Sequence, residues 1–162
     1  MRKRCQNGLS MLELLVVMAI LAIVSAIATT NYFLALTRAK QKRTVADIRA
    51  IALAWEARAV DTQTYMPAGF TFPTVPVPYP SLRAALVPTY TKNLPQLDGW
   101  QRPLQFGFDP ETGGAGGYAI RSAGRDGIFE DIVTPGDTTS PDCDIVFSNG
   151  TFITFPTVAQ TQ

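Results

Sequence analysis

Leu9-Ser10-Met11-Leu12-Glu13-Leu14-Leu15-Val16-Val17-Met18-Ala19-Ile20-Leu21-Ala22-Ile23-Val24-Ser25-Ala26-Ile27-Ala28 is an apolar run interrupted only by Ser10, Glu13 and Ser25. As a helix it spans about 30 Å, the thickness of a bilayer's hydrocarbon core. Basic residues Arg2, Lys3 and Arg4 and then Gly8 precede it. A removable secretory signal would have a shorter apolar core, a small-x-small cleavage site and an unrelated sequence beyond. Here the run is longer and helical character continues past it. From Leu9 to Met66 there is no Gly or Pro, a gap of 58 residues in a chain that holds 12 of each. The gap predicts one continuous helix.

The second half of that helix is amphipathic. Val45, Ile48, Ala52, Trp55 and Ala59 recur at steps of three and four beside Ile51, with Lys42, Asp47, Arg49, Glu56 and Arg58 off the seam. Such a stripe predicts packing on the chain's own sheet. Residues 38–43 are strongly basic, either a headgroup-facing anchor or a solvated helix face.

Glu13 is the anomaly, because a carboxylate in an apolar span is costly. Two readings stand at this point. If the chain is cut after Gly8, the new α-amine of Leu9 on one copy can pair with Glu13 of a staggered neighbour. Otherwise Glu13 is a tolerated interfacial carboxylate without a partner.

The remainder, in a chain of 162 residues, has room for one ordinary domain. The net charge of +1 conceals a gradient: seven basic residues against Glu13 alone in residues 1–43, and nine acidic residues against three arginines in residues 98–162. No general nucleic-acid binder is expected from that balance. There is no histidine, which excludes a Ser-His-Asp or Cys-His pair and a His-ligated zinc.

Five prolines in residues 67–80 end the helix and predict an irregular surface wrap. Ser81 reads as the N-cap of a short helix over residues 82–87. Leu104, Phe106 and Phe108 alternate, as do Tyr118 and Ile120. Asn149-Gly150 between residues 145–147 and 152–155 is a two-residue hairpin signal, giving three or four antiparallel strands in all. Gly113-Gly114-Ala115-Gly116-Gly117 lacks the Lys-Ser/Thr of a phosphate loop and reads as a hairpin tip. Residues 124–144 carry Asp126, Glu130, Asp131, Asp137, Asp142 and Asp144. That is either a site for a hard cation or a solvated acidic loop. Cys143 would be the only thiol left after loss of a leader containing Cys5, and is expected to be free and partly buried.

The stretch Gly8-Leu9-Ser10-Met11-Leu12-Glu13-Leu14-Leu15, after a basic leader, resembles the class III signal of type IV pilins and pseudopilins. Asp98-Gly99-Trp100-Gln101-Arg102-Pro103 is similar to the DGWGxP element of major, G-type pseudopilins of type II secretion. Tyr118-Ala119-Ile120-Arg121-Ser122-Ala123-Gly124-Arg125-Asp126-Gly127 resembles their Y-x-(I/L)-x-S-x-G-x-DG strand and loop, and Val45-Ala46-Asp47-Ile48 falls on the helix. The resemblance implies an α+β pilin-like fold, a long N-terminal helix packed on a small antiparallel sheet. It divides the chain into a leader (1–8), a membrane and filament-core helix (9–36), an amphipathic helix (37–66) and a globular region (67–162). It further implies cleavage after Gly8 by a prepilin peptidase, methylation of Leu9 and assembly guided by Glu13. Partners would be other copies of the chain, minor pseudopilins, and an inner-membrane platform with its ATPase. The body would sit in the periplasm, and the chain itself would not be an enzyme. A structural calcium is implied, with Asp126 as first ligand and Asp131 as second. Ala22 and Thr30 stand where the family often has a helix-loosening Gly and Pro. The alternatives are a type IV pilus or DNA-uptake pilin and, from another class, a membrane-anchored calcium-dependent binding protein.

Overall fold

A computed structural model describes residues 10–64, 77–108, 117–130 and 135–157. Helix α1 runs Met11–Thr62 without a break, through Ala22 and Thr30. With neither Gly nor Pro, no position lacks an N–H donor or favours another conformation. It ends where Gln63 takes a left-handed φ of 59° and donates its N–H to the Ala59 carbonyl at 2.8 Å, a helix-closing turn.

The chain divides into two compact units, residues 1–36 and 37–162. In the first, every described residue is exposed. The second holds the core. Val45, Ile48, Ala52 and Trp55 are buried as the periodicity predicts, Ile51 and Ala54 with them, while Ala59 is half-buried. Arg58, expected off the seam, is also buried, its Nη1 turned to the Thr64 carbonyl at the helix end (3.4 Å).

Helix α2 is Tyr79–Leu86, packed through Leu82 and Leu86. It starts earlier than expected and is not capped by Ser81. Pro78 occupies the cap position, Pro80 lies in the first turn, and Ser81 donates its N–H to the Pro78 carbonyl at 3.0 Å. Proline costs nothing there, because first-turn N–H groups have no partner within the helix.

The sheet has five strands, β1 (Gln105–Phe108), β2 (Tyr118–Ser122), β3 (Gly136–Thr138), β4 (Ile145–Ser148) and β5 (Thr151–Pro156), in the order β1-β2-β4-β5-β3. Three pairings are antiparallel, but β3 runs parallel to β5, so the sheet is mixed rather than purely antiparallel. Asn149 and Gly150 both take positive φ (48° and 83°), the twist that the two-residue β4–β5 hairpin requires. The Trp55 ring lies 4.9 Å from that of Tyr118 and 6.5 Å from that of Phe106, and Phe147 and Phe152 extend the aromatic layer.

Candidate functional site

Two regions carry the functional geometry. The first is the start of α1. Ser10 Oγ accepts the Leu12 N–H at 3.3 Å, and the Ser10 carbonyl accepts the Leu14 N–H at 3.2 Å. Ser10 is therefore the N-cap, with Glu13 three residues on in the first turn, the Ser-x-x-Glu spacing of a capping box. The sequence reading passed over this role of Ser10, although the spacing carried it. Glu13 is exposed, and a carboxylate there also faces the positive end of the helix dipole. Gly8 and Leu9 lie outside the described residues.

Beyond the cap, large apolar side chains are displayed on all sides, from Met11 (92% exposed) to Ile27 (63%). A contiguous apolar surface on this scale needs lipid or protein to cover it. Thr29 donates its hydroxyl to the Ser25 carbonyl at 2.7 Å, so the polar group is satisfied within the helix, as an apolar surrounding demands. Tyr32 and Phe33 pack edge to face at 5.9 Å just before Arg38 and Lys40, an aromatic-then-basic order suited to a membrane–water boundary. Among the described residues, α1 is the one helix long and apolar enough to cross a membrane.

The second region braces the body against α1. The buried Asp98 carboxylate accepts the N–H groups of Trp100 (2.8 Å) and Arg102 (2.9 Å) through Oδ1 and the Ser122 hydroxyl through Oδ2 (2.8 Å). It thus closes the 98–103 turn and ties it to β2. Gly99 then seats the turn on the helix, donating its N–H to Thr44 Oγ1 at 2.9 Å. Gln101 adopts φ 65°, left-handed backbone that costs a side chain about 1 kcal/mol. Gln101→Gly should therefore raise stability by about 0.5–1 kcal/mol in denaturant unfolding, and Gln101→Val should lower it.

Of the expected calcium ligands, Asp131 lies outside the described residues. Asp126 is placed on the loop surface, where its Oδ1 accepts the Ile128 N–H at 3.0 Å. No group of three or more His, Cys, Asp or Glu side chains converges among the described residues. The Arg125 guanidinium, through its hydrogen bonds, holds the Asp142 carboxyl below the usual carboxylate range. Cys143 is free and half-buried, and burial, with the nearby charge of Glu130, pushes its thiol up. Of the expected hairpin tip at residues 113–117, residues 113–116 lie outside the described residues, and Gly117 directly precedes β2.

A capped apolar helix continuing into a body with this α+β architecture defines a pilin-like subunit, and residues 3–29 match the prokaryotic N-terminal methylation motif. The chain is 30% identical over 134 residues to type II secretion system core protein G of Klebsiella michiganensis, covering 79% of this chain and 89% of that protein. It is 29% identical over 135 residues to the protein of the same name from Aeromonas hydrophila, covering 82% and 94% respectively. The chain belongs to the type II secretion system core protein G family. No solved structure matches it.

Proposed function

We propose that the chain is a structural subunit of a type II secretion pseudopilus, cut after Gly8, methylated on Leu9 and polymerised through its N-terminal helix to drive protein export. The observation that carries this reading is the asymmetry of α1. Residues 10–36 expose an apolar surface, while the described residues of 37–162 enclose a core of their own. The first half of α1, apolar yet exposed in this fold, is built to be covered, first by lipid and then by copies of the chain. The chain waits in the inner membrane with its body in the periplasm. Minor pseudopilins, a prepilin peptidase and the platform with its ATPase complete the machine, and the ATPase supplies the work.

The test is the intact mass of the chain recovered from cells that contain a prepilin peptidase. The expected species lacks residues 1–8 and carries one added methyl group. Recovery of the assembled chain with Met1 through Gly8 attached overturns the reading.

A further inference from the structure

The resemblance implies calcium in the loop between β2 and β4, yet among the described residues of that loop several carboxylate and carbonyl oxygens already have arginine partners. Arg121, from β2, donates its Nε to Asp144 Oδ2 at 2.5 Å, and its Nη2 reaches both that carboxylate and the Glu130 carbonyl. Its guanidinium also stacks over the Phe129 ring, 5.0 Å from the centroid. Asp144 is fully buried, and the same Oδ2 accepts the Glu130 N–H at 3.0 Å. Arg125 grips Asp142 with two parallel bonds, Nε to Oδ1 and Nη2 to Oδ2, each 2.7 Å. Arg102 reaches across from the 98–103 turn and donates to the carbonyls of Asp126 (2.5 Å) and Arg125 (2.6 Å).

The backbone is shaped around these cations. Gly127, at φ 74°, leaves the space that the Arg102 guanidinium fills, since a Cβ there would stand 1.1 Å from Nη1. Gly124, at φ 62°, brings the loop onto the carbonyls of Asp142 and Cys143, where a Cβ would come within 2.7 Å.

Calcium takes six to eight oxygens at once. Here two carboxylates and three carbonyls already face guanidinium groups, which bring to those oxygens the positive charge and the donors that a cation would otherwise supply. One buried oxygen, Asp144 Oδ1, has no hydrogen-bond partner, and one oxygen does not make a cation cage. We propose that in this chain Arg102, Arg121 and Arg125 take the structural place of the calcium that the resemblance implies. The body is then stable, and competent to assemble, without the metal. The planar guanidinium suits this role because it bridges carboxylate and carbonyl oxygens in a fixed fork.

The experiment is thermal unfolding of the full processed chain in detergent micelles, in millimolar calcium and in excess EGTA. The expected melting temperatures agree within about 1 °C, because a ligand that does not bind the native state shifts nothing. A calcium-dependent rise of several degrees overturns the proposal. In EGTA, Arg121→Gln should lower the midpoint by roughly 10 °C, since it strands the buried Asp144, and Arg121→Lys should recover part of that. An Arg121→Gln midpoint equal to wild type also overturns it. Should Arg121→Gln fail to fold, the wild-type comparison still decides the matter, and Arg125→Gln, at a more exposed pair, should lower the midpoint by a degree or two. Either result leaves the pseudopilus reading untouched, because none of these groups lies on the apolar helix.

Discussion

Gly99→Ala should lower the melting temperature of the full chain by roughly 10 °C or more, a destabilisation of about 2–5 kcal/mol. The glycine is required by close approach. A Cβ at residue 99 would stand 2.2 Å from the Lys40 carbonyl oxygen and 2.9 Å from its carbon. Both are backbone atoms inside a helix and cannot swing aside. The turn must lift off α1, and as it lifts the Gly99 N–H loses Thr44 Oγ1, which itself hydrogen-bonds the Lys40 carbonyl at 3.0 Å. The displacement would reach Asp98, whose carboxylate links the turn to Ser122 on β2. Gly107→Ala is the control. It lies in β1, with nothing within 4 Å of its would-be Cβ, and should change stability by no more than about 0.5 kcal/mol. Equal effects at the two glycines would show that the docking of the turn on the helix is not what Gly99 secures.

What the sequence disclosed depended on the range of each interaction. The helix was legible to within a few residues because the absence of Gly and Pro is a local property, and the β4–β5 hairpin because Asn149-Gly150 encodes its own turn. Strand β3 was not legible. Three residues, Gly136-Asp137-Thr138, show no alternation, and their pairing with β5 is supplied by a partner strand. The DGW element could be recognised as a resemblance but not explained, because its glycine answers to Lys40, far away in sequence. The acidic residues of the loop suggested a cation by their density, while the arginines that meet them come from β2, from the loop itself and from the 98–103 turn. Arg58 was misplaced for a related reason: helical periodicity sorts positions by angle, and a long side chain near a helix end can reach a carbonyl just past it, here that of Thr64.

Glu13→Ala should reduce filament yield and export at least about tenfold, while the melting temperature of the body stays within about 1 °C of wild type. The separation is expected because Glu13 is exposed in the first unit and contributes nothing to the core of residues 37–162. Two physical roles compete for the residue, and a second substitution tells them apart. As the third residue of a capping box it would help hold the helix start, a local contribution of about 0.3–1 kcal/mol that glutamine largely preserves. As a charge it would compensate the α-amine that cleavage creates on a neighbouring copy, and glutamine cannot do that. In an apolar helix bundle, stranding that amine costs several kcal/mol, enough to stop growth where a frayed first turn would only slow it. Glu13→Gln should therefore fail to assemble as completely as Glu13→Ala, and Ser10→Ala should assemble with only a modest loss. If Glu13→Gln forms filaments at wild-type yield, the carboxylate serves the helix end alone, and the pairing of amine with acid between subunits is wrong.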